Sequence, residues 1–389
     1  MAGTAKRVIQ IDVLRGVAVL LVMGRHAAMS PYEAGLLTYP AGLWFRVGWS
    51  GVDLFFVLSG FLVGGLLLGE IKASGELDVK RFIIRRGFKI WPGYFVYLAA
   101  AFAYLWLGQG QPVSSAFRQI APNLIHIQNY MGAFIVVPLP HTWSLAVEEH
   151  FYLALPLALV LAVGRRERPH AIPGLVRLSA GALVACLAVR LYTYFTVPYE
   201  PTLLRWPTHD RIDSLFVGVL LSYLLHFHPE RFRALARRRR GLLAMAAVLL
   251  TPLLLHEDNG FVVTVGFTLI AVGYASLLLV VVTTQPDLAN AGVLMLRWPT
   301  RVLAYIGVYS YSIYLWHILA GRLPSTALAG SATLALLRPE ARWVVVMGVY
   351  ILLALGAGII MGKAIELPAL SLRERLFPAT PRAAAAHLA

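Results

Sequence analysis

Stretches of about 20 apolar residues, each long enough to cross the hydrocarbon core of a bilayer as a helix, recur along the whole of this 389-residue chain. A lipid core offers the backbone no hydrogen-bonding partner, so runs of this kind satisfy their own N–H and C=O groups as helices. Taken in order they predict helices near residues 9–29, 48–69, 91–108, 143–163, 175–197, 210–227, 241–255, 261–283, 301–320 and 342–363. The seventh is short, and a re-entrant segment within 110–142 is an open alternative. The expected fold class is all-α, a polytopic integral membrane bundle of about ten transmembrane helices.

Composition agrees, because 59% hydrophobic and 14% charged residues leave too little polar surface to coat a soluble protein of this length. The expected organisation is a single transmembrane domain over 1–377 and a disordered, Ala-rich cytoplasmic tail over 378–389. A net charge of +15 would suggest nucleic acid in a soluble protein; beside membrane helices it marks cytoplasmic loops, so lipid and not nucleic acid is the expected partner. Of the 34 lysines and arginines, 24 fall in alternate segments that include both termini and 6 in the segments between. The other four, Arg15, Arg25, Arg190 and Arg211, lie within helices. That asymmetry predicts cytoplasmic termini. Lys6 and Arg7 before an apolar run mimic a signal peptide, but Asp12, Arg15, Arg25 and His26 interrupt the run, which reads as a retained first helix. The lone Cys186 excludes an internal disulfide and a Cys-based metal site, and reads as a small core residue.

Ionisable side chains inside apolar helices are costly and usually face an internal cavity. With this topology His26, Asp53, Glu148, Glu149, Asp210, Arg211, Asp213 and His317 all come near the outer ends of their helices, while Arg15 lies in the inner half of the first. Arg15 and His26 are eleven residues apart, which places them on one helix face about 16 Å apart along the axis. An anion held by Arg15 below a reactive His26 is one reading; a packed histidine, with Arg15 paired to Asp12 or Asp213, is the other. Asp53 reads either as a catalytic group or, more simply, as a structural partner for a buried arginine, and His317 reads as an interfacial anchor. On the cytoplasmic side Lys80, Arg81, Arg85, Arg86 and Lys89 precede Trp91–Pro92, and Arg86 and Lys89 share a helical face able to bind phosphate. Contact with anionic lipid headgroups is the plainer use of that cluster.

The blocks "IDVLRGVAVLLVMGRHA", "GVDLFFVLSGFLVGGLLL", "RFIIRRGFKIWPGYFVYL", "HTWSLAVEEHFYLALPL", "RIDSLFVGVLL" and "YIGVYSYSIYLWH" occur in the order found in the membrane acyltransferase-3 family, which the chain resembles from Ile11 to His317. The resemblance implies a ten-helix core that moves an acyl group, commonly acetyl, from acyl-CoA to a hydroxyl. Family acceptors include sugars of lipopolysaccharide, exopolysaccharide and peptidoglycan, and natural products such as macrolides. The family's Arg–ten residues–His pattern falls on Arg15 and His26, its Trp-Ser-Leu-x-x-Glu glutamate on Glu148, and its Arg-x-x-Arg element on Arg86 and Lys89. Lysine keeps the charge at that last position but loses the bidentate fork.

On this basis His26 and Glu148 are the expected catalytic residues. Arg15, Arg81, Arg85, Arg86 and Lys89 are expected to hold acyl-CoA, with acetyl-CoA the expected donor, and Trp143, Glu149, Arg211 and Asp213 to line the acceptor site. No metal is required, and the expected location is the bacterial inner membrane. A proton-coupled small-molecule transporter is the alternative, against which stands the lack of a visible inverted repeat. A third reading is a scaffold that carries acyl groups across the membrane to a separate transferase.

Overall fold

The computed structural model describes residues 8–132, 137–163, 172–284 and 291–378. Lys6, Arg7, part of the basic segment after residue 163 and the tail beyond Pro378 lie outside the described residues. Among the described residues every regular element is a helix. In chain order these are α1 (Ile9–Arg25), α2 (Thr38–Gly48), α3 (Gly51–Ser74), α4 (Val79–Ala103), α5 (Val113–Leu124) and α6 (Trp143–Val163). Next come α7 (Pro173–Thr196), α8 (Pro201–Arg205), α9 (Thr208–Phe227), α10 (Pro229–Arg237), α11 (Arg239–Leu249) and α12 (Phe267–Thr283). The last six are α13 (Ala291–Val308), α14 (Ser310–Trp316), α15 (Leu323–Ala329), α16 (Ala332–Ala335), α17 (Pro339–Met361) and α18 (Leu367–Leu376).

Six of these stretches are long and apolar enough to span a bilayer: α3, α4, α6, α7, α12 and the continuous α17–α18. The count is eight if the bent pairs α9–α10 (112°) and α13–α14 (66°) are each one span. The seventh predicted segment departs most from expectation. It forms α11 over 11 residues and ends in the 3-10 turn Thr251–Leu254, short of a ~30 Å hydrocarbon core. The region 110–142 holds the amphipathic α5 and short 3-10 turns.

A second departure bears on the site. The basic block before Pro92 is not a loop but the first three turns of α4, which begins at Val79 and runs through Pro92. Asp78 caps it, its carboxylate accepting the Arg81 N–H at 2.9 Å, which satisfies an otherwise orphaned helix donor.

The bundle is built around two close helix pairs, α3 with α9 and α1 with α13. Small residues make the approach possible, since lipid supplies no hydrophobic drive between helices and packing must do so. A Cβ on Gly60 would run into the backbone carbonyl of Leu215, and one on Gly218 would meet the Phe61 nitrogen at 2.6 Å. The α1–α13 pair repeats the device, with Gly16 against Leu303 and Gly307 against Asp12. At Tyr309 the chain breaks between α13 and α14, and α14 passes into a π-type turn at His317–Arg322. Turns of this kind often mark functional positions. Cys186 is buried within α7.

Candidate functional site

A cavity of about 140 Å³ lies among α1, α3, α4, α6 and α14. Its apolar wall includes Val52, Phe55 and Phe56; its polar lining includes Arg15, Arg86, Lys89, Glu148, Ser59 and Tyr314. Arg15 makes no hydrogen bond or ion pair among the described residues. Arg86 likewise has no carboxylate partner; its guanidinium lies over the rings of Phe82 and Tyr152, 5.7 and 5.5 Å from their centroids. Lys89 is neutralised by Glu366, which also accepts from the Ser312 hydroxyl at 2.8 Å. Across the cavity Glu148 accepts from the Tyr152 hydroxyl at 3.2 Å, and that hydroxyl bonds Ser59 at 2.7 Å. Two unpaired guanidiniums between apolar walls are expensive, and such a site suits an anionic or strongly polarised group.

The basic cluster of α4 divides. Arg86 and Lys89 face this cavity, whereas Arg85 bonds Glu374 at 2.9 Å and the Phe377 carbonyl, tying α4 to α18. Arg81 sits with Lys80 in a separate shallow depression against Leu376 and Phe377.

His26 lies at the far end of α1 from Arg15, just past the helix terminus. There it meets two other imidazoles that come from distant parts of the chain. Its Nδ1 lies 2.9 Å from His317 Nε2, and its ring centroid is 6.5 Å from that of His141. His317 Nδ1 donates to the Tyr314 carbonyl at 2.6 Å, and His141 Nε2 to the Leu315 carbonyl at 3.1 Å. His141 and His317 are buried, while His26 is half-buried. His317, expected as an interfacial anchor, is thus fully enclosed and bonded to His26. Tyr314 joins the two regions. It lines the Arg15 cavity, its hydroxyl bonds Ser144 (2.6 Å) and donates to the His141 carbonyl (2.8 Å), and its ring lies 5.3 Å from that of His141. His26 is thus not among the residues that line the Arg15 cavity, and Tyr314, which is, reaches the imidazole cluster. Among the described residues no set of three His, Cys, Asp or Glu side chains is arranged to hold a metal ion.

The expected acceptor residues are placed differently from the cavity lining. Arg211 bonds Asp53 at 2.6 Å and lies 3.8 Å from the centre of the Phe267 ring. Asp213 pairs with Arg190 at 2.7 Å and accepts from Thr268 at 2.6 Å, every side chain of both ion pairs being buried. Asp53 thus takes the structural role read from sequence, and Asp213 pairs with Arg190 instead of Arg15. Trp143 packs edge-on against Phe56 and near Arg211. Glu149 accepts from Trp91 Nε1 at 3.3 Å. Glu148 contacts Tyr152 and not His26.

His141, Tyr314 and Glu366 carry the geometry but were not singled out in the sequence. His141 stands in a 3-10 turn after Pro140 and so has no helical phase to read. Tyr314 looks like one more aromatic in "YSYSIYLW", and Glu366 lies beyond the blocks that carry the resemblance. Tyr314 lies in the short α14 between the break at Tyr309 and the turn at His317, and Glu366 ends a second π-type turn, Gly362–Glu366.

The sequence model for the acyltransferase domain matches residues 8–362. The chain belongs to the acyltransferase-domain family. Among curated proteins it is similar to the peptidoglycan O-acetyltransferase OatA of Listeria monocytogenes, 28% identical over 328 residues that cover 80% of this chain and 49% of the relative. It is also similar to the O-acetyltransferase OatA of Staphylococcus aureus, 24% identical over 288 residues, 70% of this chain and 46% of the relative. The chain spans about half the length of the curated relatives it matches. No solved structure matches it. In this acyltransferase-domain chain the cavity and the three imidazoles both lie within the matched residues, whereas Glu366, which neutralises Lys89, lies four residues past their end.

Proposed function

We propose that this multi-pass membrane protein transfers an acyl group, the two-carbon acetyl, from acyl-CoA to a hydroxyl of a carbohydrate or related acceptor in the bacterial inner membrane. The observation that supports it best is the pairing of an unpartnered Arg15–Arg86 cavity with a histidine cluster that Tyr314 also contacts. The proposal keeps α1 as a crossing beside the eight candidate spans, with the short α11 entering the bilayer only part-way. In this reading both termini and the basic start of α4, which carries Arg86 into the cavity, lie on the cytoplasmic side, as the lysine and arginine asymmetry predicts.

The donor enters from that side. Arg86 meets its anionic portion, and Arg15 binds a phosphate oxygen or an amide carbonyl of the pantetheine arm as the arm threads inward. Lys89, already neutralised by Glu366, supports the wall and adds little free charge. Glu148 and its hydroxyl partners Tyr152 and Ser59 give the arm hydrogen-bonding groups along the opposite wall. The route to His26 passes Tyr314, whose side chain must shift for the thioester to reach the imidazole. There His26 removes the acceptor hydroxyl proton as the oxygen attacks the thioester carbon. The C–O bond forms, the C–S bond breaks, and the proton held on His26 passes to the departing thiolate. The products are an ester and free CoA. A half-buried His26 at the predicted outer end of α1 is reachable by an acceptor from that side.

The test is release of CoA from labelled acetyl-CoA by the purified, reconstituted protein with and without a glycan acceptor. Acceptor-dependent release that is lost in His26→Ala, with the variant still folded, is expected. A His26→Ala protein that keeps wild-type turnover refutes His26 as base, and acceptor uptake into vesicles without CoA release refutes the transferase reading.

A further inference from the structure

The hydrogen bonds around His317 fix which nitrogen of His26 is free. The Tyr314 carbonyl can only accept, so His317 Nδ1, 2.6 Å away, carries a proton. In a neutral imidazole the other nitrogen is then bare, which makes His317 Nε2 an acceptor. His26 Nδ1, 2.9 Å from it, must be the donor. That leaves His26 Nε2 with its lone pair available. We propose that His317 is the positioning residue that holds His26 in its Nδ1–H form, so that Nε2 is the atom that takes the acceptor proton.

This rests on His26 as the base. In water a free imidazole favours the opposite tautomer, with the proton on Nε2, so an external acceptor is needed to hold it on Nδ1. Which ring nitrogen carries the proton is decided by the hydrogen bond the other makes. Elsewhere a carboxylate fills such a role. Here no carboxylate hydrogen-bonds either imidazole among the described residues. The charged side chains that bear on His26 are Arg25 and Arg322, with His141 and His317 as its titratable neighbours. A neutral orienting group suits a site between helices, because it brings no buried anion that would itself need compensation. The π-type turn at His317–Arg322 supports the arrangement by bringing the ring over its own preceding turn, where the Tyr314 carbonyl can accept.

Two measurements test it. The first is imidazole 15N NMR of the wild-type protein labelled at histidine, with His26→Ala used for assignment. A His26 signal with the proton on Nδ1 and a bare Nε2 is expected; a His26 protonated on Nε2 overturns the inference whether or not the protein is active. The second compares His317→Leu with His317→Gln, whose side-chain carbonyl can still accept from Nδ1–H. The Leu variant should lose at least ~10-fold in kcat, up to the ~10²–10⁴-fold that a general base contributes, with KM for acetyl-CoA unchanged. The Gln variant should recover most of that loss. Wild-type kcat in the Leu variant, or a folded Gln variant as slow as Leu, overturns the inference. Activity retained in His26→Ala would instead overturn the general-base reading and leave the NMR result to stand by itself.

Discussion

Two arginines in this protein invite the same substitution and should answer it in opposite ways. Arg15 faces a cavity with no hydrogen bond or ion pair among the described residues. Arg190 is wholly buried, bonded to Asp213 at 2.7 Å, Thr268 at 2.6 Å and the Asp210 carbonyl at 3.2 Å. Arg190→Gln removes one half of a buried ion pair and strands a carboxylate, a change that costs about 3–5 kcal/mol. That is a large share of the ~5–15 kcal/mol by which a folded protein is typically stable. Arg15→Gln breaks no pair and removes an uncompensated charge, so the variant should melt no earlier than wild type. Its loss should appear in catalysis: a hydrogen bond to a charged group is worth about 1.5–3 kcal/mol, which corresponds to a roughly 10- to 150-fold fall in kcat/KM. Thermal unfolding in detergent and CoA release, measured on one preparation of each variant, provide both numbers. If Arg15→Gln melts as early as Arg190→Gln, Arg15 is a structural partner and the cavity reading fails. An Arg15→Gln enzyme with wild-type kcat/KM refutes it just as directly.

Two further outcomes follow from the helix packing and from the loop after α5. Gly60→Leu places a side chain against the Leu215 backbone, which cannot rotate away as a side chain would, and should cost about 1–3 kcal/mol, read as a lower melting temperature and poorer membrane yield. His126, half-buried in the loop after α5 and stacked on Tyr94 at 4.8 Å, has its pKa pushed down to about 4 by burial, with a smaller contribution from His150. The unfolded chain takes up a proton near pH 6.5 and the folded one only near 4, so the stability this neutral ring contributes is present above pH 6.5 and lost as pH falls through that window. Solvent screening at a half-buried site limits the effect to about 1–2 kcal/mol. His126→Asn, which tolerates the positive φ of 57°, should flatten the fall in melting temperature between pH 7 and 5. An unchanged pH profile in that variant would show that His126 is not its source.

Long apolar runs dictated helices, because only a helix satisfies a lipid-embedded backbone within one segment. Spacing also put Arg86 and Lys89 on one face, and they do line one cavity. Arg15 and His26 proved harder. Eleven residues of separation predict one shared helix face, but α1 ends at Arg25 and His26 lies just past it, away from the cavity that Arg15 and Tyr314 line. Nor did residue type distinguish the cation that is free from those that are paired. Arg15, Arg190 and Arg211 look alike as charges in apolar helices, and their partners come from residues 23 and 158 positions away for the latter two.

Local rules thus determined the helical class and the shared face of Arg86 and Lys89, since each depends on neighbours within a few turns. Tertiary structure alone decided which charges pair, which remain open to the cavity, and that His26 meets an imidazole 291 residues away. The physical reason is that a buried polar group takes its character from whatever lies within about 3 Å of it, and in this bundle those neighbours are supplied by helices far apart in the chain.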